Sequence, residues 1–412
     1  MITDLASLLA PMTEEEFTRA RADRQIVHVP ASDTGRFAQL MGWEVLNELI
    51  ERGQLPGENF RLMRNGKRVP KEWFAPEGRI NGPALRALLR QPVTIVTLDI
   101  ANLWSPMRKL VRRLEQQLGH NVVCGAIATL REGGAFQPHF DFQDLLLLQI
   151  AGSKHWQILG ERALVPTDER SKGTSPPSEV VMEFTMRPGD LLYLPRGWWH
   201  KAESDEDSLH VGLHLATPQG IDFARWLMKN LEQEPLFLED VPKYLGAQAL
   251  AAYESRLKAR FAEILKATSL DACLRADEQA VPIQPSLDLG NHAIAADPLT
   301  VVELMTRRMP HVGGYEHGEI ELFGVKLDLT PAIKDVLELL RMRPSAPMSV
   351  ISEHLTPRHT ADAVQEAVAT LDRHGLVTLR LAMSRTPRDL NKLRQSGHIR
   401  QLSRLATPGQ ES

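Results

Sequence analysis

The residues able to carry chemistry in this 412-residue chain gather in two short segments. The first is Gly134-Ala135-Phe136-Gln137-Pro138-His139-Phe140-Asp141. His139 and Asp141 stand two apart. On a strand, two such side chains leave the same face and can share one metal ion. The second is Arg187-Pro188-Gly189-Asp190-Leu191-Leu192-Tyr193-Leu194-Pro195-Arg196-Gly197-Trp198-Trp199-His200. There an apolar strand runs into a Pro-Arg-Gly turn, which throws His200 back toward the same place. Two imidazoles and one carboxylate make a facial triad suited to non-haem Fe(II), with open positions of the kind dioxygen activation needs. Each segment alone has an ordinary explanation. His-x-Asp occurs by chance, and the turn before His200 can bury a hydrogen-bonded histidine. The pair, inside one strand-rich region, points to a metal site.

The elements that must position these residues follow from the pattern. Short strands punctuated by Gly and Pro fill residues 121 to 215: Val122–Leu130, Asp144–Ile150, His155–Leu159, Val180–Thr185, Asp190–Leu194 and Leu209–Ala216. Turn signals stand at Gly133-Gly134, Gly152, Pro176-Pro177, Pro188-Gly189 and Arg196-Gly197. Such spacing predicts an antiparallel barrel or sandwich. Before it, helix and strand signals mix. Thr13 caps an acidic first turn, Val93–Leu98 is a β-branched strand, and Met107–Leu118 is an amphipathic helix. After Thr217 the pattern turns helical, with helices over Phe223–Gln233, Pro242–Tyr253 and Ser255–Ala267. Residues 279 to 300 have linker composition. A strand at 318–323, helices at 331–342, 348–354 and 360–374, and a strand at 376–381 follow in the order of a winged-helix domain. By residues alone, Lys154 is either an exposed turn residue after Gly152 or shares an inward face with Trp156 and Ile158.

Composition narrows the class. Apolar residues are 43% and charged residues 24%, ordinary for a globular chain with a sizeable core. Lys and Arg number 48 against 52 Asp and Glu, a net charge of -4, which argues against a coat for nucleic acid or anionic membrane. Two cysteines, Cys124 and Cys273, exclude a disulfide framework and a thiolate-rich metal site. No signal-peptide pattern and no long apolar run is present, so a cytoplasmic location is expected. The third helix of the winged-helix region, Thr360–His374, carries three acids against one Arg, which opposes DNA binding. The tail from Met383 is basic and polar.

Residues 15 to 216 resemble the JmjC/cupin branch of the 2-oxoglutarate-dependent oxygenases. The likeness rests on His139-Phe140-Asp141, Leu145 to Gln149, Gly152-Ser153-Lys154-His155-Trp156, and Gly189-Asp190 through His200. Within that branch it is most similar to the ribosomal oxygenases. The resemblance implies an α+β fold: a double-stranded β-helix (JmjC/cupin barrel), a helical dimerisation region and a C-terminal winged helix. The chain then divides into 1–216, the catalytic domain with its N-terminal helical cover; 217–300, the dimerisation region and linker; 301–382, the winged helix; and 383–412, the basic tail.

The same resemblance implies Fe(II) on His139, Asp141 and His200, with 2-oxoglutarate as co-substrate and Lys154 as partner of its 5-carboxylate. Thr129, Gln149, Ser208 and His210 are implied as further co-substrate contacts. Where the family places Asn and Tyr, this chain has Gly125 and Ile127, which offer no side-chain hydrogen bond. The implied activity is hydroxylation of an arginine or histidine of a ribosomal protein by a homodimer, with succinate and CO2 as co-products. Hydroxylation of another peptide or small molecule, and a non-oxidative cupin isomerase or binding module, are the other readings.

Overall fold

The computed structural model describes residues 2–52, 59–131, 136–160, 162, 175–281, 293–310, 312 and 318–381. The Gly133-Gly134 turn, most of the expected linker (282–292) and the basic tail 383–412 lie outside the described residues. The chain divides into two compact units, Met1–Leu274 and Arg275–Ser412. Among the described residues no helix is long and apolar enough to cross a membrane.

The first unit holds eleven described strands: β1 (Val27–Val29), β2 (Phe60–Arg64), β3 (Lys67–Arg68), β4 (Val93–Thr97), β5 (Asn121–Leu130), β6 (Asp144–Ala151), β7 (Lys154–Leu159), β8 (Val180–Met186), β9 (Leu191–Leu194), β10 (Trp199–Glu203) and β11 (Ser208–Ala216). They form an eight-stranded sheet in the order β1-β9-β6-β11-β5-β4-β2-β3 and a three-stranded sheet in the order β10-β7-β8. All the ladders are antiparallel.

Strand alternation sorts the side chains into two layers. On β5 the set Val122, Cys124, Ala126 and Ala128 packs outward into the main core, as do Leu146 and Leu148 of β6 and Leu209, Val211, Leu213 and Leu215 of β11. The helical cover supplies the other side: Leu8, Phe17, and the Leu110, Val111 and Leu114 stripe of helix Ser105–Leu118. The opposite parity forms a smaller cluster, with Leu145 and Leu147 of β6, Trp156 and Ile158 of β7, and Leu192 and Leu194 of β9. Cys124 lies deep in the main core, where burial holds its thiol protonated.

Helix Glu14–Asp23 starts as its sequence predicts. Thr13 accepts from the Glu16 amide, and the Glu16 carboxylate accepts from the Thr13 amide. Two expectations fail. The paired helices over Pro242–Tyr253 and Ser255–Ala267 are a single helix, Ala247–Ala267. Glu254 is no helix breaker, whereas Pro242 and Gly246 keep the first residues out of the helix. The segment after the Pro-Arg-Gly turn is not merely a turn: Trp199–Glu203 forms β10, paired with β7.

In the second unit, β12 (Thr300–Leu304) lies between β15 (Ser345–Pro347) and β16 (Val377–Leu381), and β13 (Gly318–Leu322) and β14 (Val325–Leu329) form a hairpin. Helices Pro331–Met342, Met348–Leu355 and Ala361–Arg373 close its own core around Val336, Leu337, Ile351, Val364 and Val368.

Candidate metal centre

The two sequence segments meet through their backbones. His139 and His200 form an isolated antiparallel bridge. The His139 amide donates to the His200 carbonyl at 3.1 Å, and the His200 amide to the His139 carbonyl at 2.8 Å. Gly197, with φ at 87°, turns its amide onto the Asp141 carbonyl at 2.9 Å. The Pro-Arg-Gly turn therefore fixes Asp141 as well as returning His200. Asp141 itself lies beyond the bridge, not on a strand with His139.

The ligand-type atoms of His139, Asp141 and His200 all lie within 4.8 Å of one another. His200 Nε2 is 3.5 Å from Asp141 Oδ2, and the two imidazole rings are 4.3 Å apart. Each Nδ1 faces a carbonyl two residues back: Gln137 at 2.9 Å for His139 and Trp198 at 3.0 Å for His200. A carbonyl only accepts, so each Nδ1 carries the hydrogen and each Nε2 keeps its lone pair. Burial, then the nearby His139, pushes the His200 imidazole down to about 4, against the pull of Asp141. Both effects favour a neutral, ligating ring. This donor set suits a divalent metal that takes nitrogen and oxygen ligands and leaves positions open.

The triad opens on a cavity of about 240 Å³ inside the barrel, and Lys154 lines the same cavity. Lys154 is 2% exposed, so the inward reading of its strand is the correct one. Its Nζ donates to Thr129 Oγ1 at 3.1 Å and stands 3.4 Å from His210 Nδ1. Among the described residues no carboxylate pairs with it, and burial pushes its ammonium down to about 7. Burial and then Lys154 hold His210 well below the usual imidazole range, so its ring is neutral. A buried cation without an anion, across a cavity from an open triad, fits a small dicarboxylate with one end on the metal.

The remaining expected residues are placed unequally. His210 lines the cavity, and Thr129 stands one contact behind Lys154. Ser208 is fully buried opposite Thr129 on the neighbouring strand, and its Oγ has no partner among the described residues. Gln149 turns away: its amide donates to the Ala151 and Gly152 carbonyls and ties the β6–β7 turn. Gly125 and Ile127 do line the cavity. A Cβ on Gly125 would stand 2.6 Å from the Thr97 carbonyl, so β4 leaves no room there for any side chain.

His214, which is not among the expected site residues, also lines the cavity. The missed signal was parity, since Ser208, His210, Gly212 and His214 share one face of β11. The Trp198-Trp199 pair packs against neighbouring elements. The Trp199 ring meets Phe140 edge-on at 4.9 Å, and Trp198 Nε1 donates to the Arg24 carbonyl.

Comparison with known proteins agrees with this geometry. Residues 102–223 match the family model described as JmjC domain. The chain is 28% identical over 228 residues to a bifunctional lysine-specific demethylase and histidyl-hydroxylase NO66 of Drosophila persimilis, covering 55% of this chain and 33% of that protein. It is 30% identical over 262 residues to ribosomal oxygenase 1 of Bos taurus, covering 58% of this chain and 38% of that one. The chain thus spans little more than a third of the length of these relatives. Among solved structures it is similar to Escherichia coli ribosomal oxygenase YcfD, with a TM-score of 0.54 at 15% identity, over 90% of this chain and 98% of that one. Another structure of YcfD is a complex with cobalt and 2-oxoglutarate. A strand barrel with a His-Asp-His cluster facing a buried lysine, and a match to the JmjC model over residues 102–223, make this chain similar to JmjC-domain proteins of the ribosomal oxygenase type.

Proposed function

We propose that the protein is an Fe(II)- and 2-oxoglutarate-dependent hydroxylase acting on an arginine or histidine side chain of a ribosomal protein. The observation that carries this reading is the single cavity shared by the triad and Lys154. His139, Asp141 and His200 hold the metal, and Lys154 meets the distal carboxylate of the co-substrate. When bound, Fe(II) and 2-oxoglutarate supply hydroxylation of a C–H bond by O2, with succinate and CO2 as co-products. The chain's own part is positional. The Gln137 and Trp198 carbonyls orient the imidazoles. Thr129 and the neutral His210 steer the Lys154 ammonium. Leu145, Leu147, Val96 and Ile127 keep bulk water from the reacting centre. Ser208 and Gln149 support the walls around Lys154.

The relatives' names support the ribosomal and histidyl assignment. We assign the chain to a homodimer in the cytoplasm. Exposed apolar side chains on the helical segment, Ile221, Met228, Leu238, Val241, Tyr244 and Leu245, support subunit pairing there. The two buried free cysteines suit a reducing compartment. The second unit is assigned as a winged helix with a structural or protein-docking role. Its helix Ala361–Arg373 carries Asp362, Glu366 and Asp372, which repel phosphates. Incubation with Fe(II), 2-oxoglutarate and ribosomes, followed by mass spectrometry, tests the proposal. One added oxygen on a defined ribosomal-protein residue is expected. Succinate formation with no ribosomal target would remove the substrate, and no 2-oxoglutarate turnover in any condition would remove the enzyme class.

A further inference from the structure

One imidazole in the cavity holds neither the metal nor Lys154. His214 lines the cavity but stands outside the cluster of His139, Asp141 and His200. Along β11 it is four residues beyond His210, the neighbour of Lys154, a run of about 13 Å at strand spacing. Its pairing partner on β6 is Leu145, four residues after Asp141. His214 therefore belongs to the Asp141 end of the cavity, and Lys154 to the other. Its ring leans back over the cavity face of its own strand, because a Cβ on Gly212 would stand 3.4 Å from His214 Nε2. Gly212 pairs with Gly125, and both line the cavity, so Nε2 stands over a floor that carries no side chains. Leu213 and Leu215 beside it are buried, whereas His214 keeps accessible surface. Among the described residues nothing hydrogen-bonds to either ring nitrogen. Burial, against the pull of Asp141, favours the neutral ring, in which one nitrogen accepts.

The co-substrate reading places the dicarboxylate between the triad and Lys154, which leaves the His214 end for the side chain to be hydroxylated. An arginine or a histidine always carries an N–H, and once buried beside the metal that N–H needs an acceptor. The surrounding wall offers few. Val96, Leu98, Gly125 and Ile127 have no polar side chain, and Arg61 only donates. Thr97 engages its hydroxyl with the Ala126 backbone, and Asp141 is reserved for the metal. We infer that His214 Nε2 accepts a hydrogen bond from an N–H of the target side chain, and so sets which carbon is presented to the metal. His214 is then a specificity-determining residue for the reaction. The inference rests on the function proposed above.

The test compares the full-length wild type with His214→Leu and His214→Gln, whose amide oxygen can still accept. His214→Phe replaces the leucine variant if that one does not fold. Each protein is incubated with Fe(II), 2-oxoglutarate and ribosomes. Mass spectrometry then reads the hydroxylated residue, and succinate release is measured alongside. His214→Leu is expected to lower kcat/KM for ribosomal hydroxylation about tenfold, the scale of one buried hydrogen bond. The succinate released per residue hydroxylated should rise, because a misplaced target uncouples the reaction. His214→Gln should recover part of both losses. Calorimetry on the Zn2+-loaded proteins should give the same 2-oxoglutarate affinity in all three. Undiminished hydroxylation in His214→Leu, no recovery in His214→Gln, or an equal loss of 2-oxoglutarate affinity overturns this inference and leaves the proposed function standing. A wild-type protein that modifies no arginine or histidine of the ribosome overturns both.

Discussion

At the residue scale, the site depends on a cation kept where water cannot reach it. Lys154 has its ammonium pushed down to about 7 by burial, with no carboxylate among the described residues to offset the cost. A bound dicarboxylate supplies the missing charge and draws the proton back. Two consequences follow. The affinity for 2-oxoglutarate should fall as pH rises above about 7, and binding near that pH should take up a proton. Calorimetry in two buffers of different ionisation enthalpy checks the second point. In the ligand-free protein the sign on stability is opposite. The unfolded chain holds the Lys154 proton up to its ordinary value of 10.5, while the folded chain gives it up near 7. Between those limits the unfolded state binds more protons, so this group's contribution to stability rises with pH. Denaturant melts of the wild type and Lys154→Met across that range should diverge accordingly. Lys154→Ala is expected to raise the 2-oxoglutarate requirement by about ten- to a hundredfold, the worth of a charge-assisted contact. His139→Ala or Asp141→Ala should bring turnover below detection, measured as succinate release.

At the element scale, the barrel works because β5, β7 and β11 turn opposite parities to core and cavity. This is also what the sequence made legible. The six expected strands agree with the observed ones to within a residue or two, since turn glycines and prolines bound them closely. The triad was legible for a different reason: its residue types are unusual in an apolar strand region. Other features were hidden because they depend on neighbours in space. Nothing local says that Gln149 folds back to the Ala151 and Gly152 carbonyls, or that β10 begins two residues after Gly197. In one dimension, Gly125 is read only as a missing side-chain hydrogen bond. In three it is a steric requirement of β4. Gly125→Asn should therefore fail to restore a contact and should destabilise the fold by about 1–3 kcal/mol through displacement of the Thr97 carbonyl. Thermal melting of the variant checks this.

At the scale of the whole molecule, the first unit devotes its barrel to the site and leaves several apolar side chains exposed on the helical segment. Leu238 is 67% exposed and Tyr244 74% exposed. Residues so exposed and so apolar are costly to leave in water, at roughly 25 cal/mol per Å² of apolar surface. If the proposed homodimer pairs through these residues, replacing Leu238 and Tyr244 together by Glu is expected to convert it to monomers in analytical ultracentrifugation. Far-UV circular dichroism should be unchanged.

The reciprocal hydrogen bonds between His139 and His200, and the tether from Gly197 to Asp141, bear on metal selection. The three donors are assembled by the backbone before any ion arrives, so binding need not be coupled to folding. Such a site has little conformational means of rejecting a better Lewis acid. Cobalt, nickel and zinc should then outcompete ferrous iron in the usual order of divalent affinities. Zn2+ should act as a tight, reversible inhibitor that chelators remove without unfolding the protein. Occupancy by iron would thus be decided by which metals the surroundings keep free, and not by the protein.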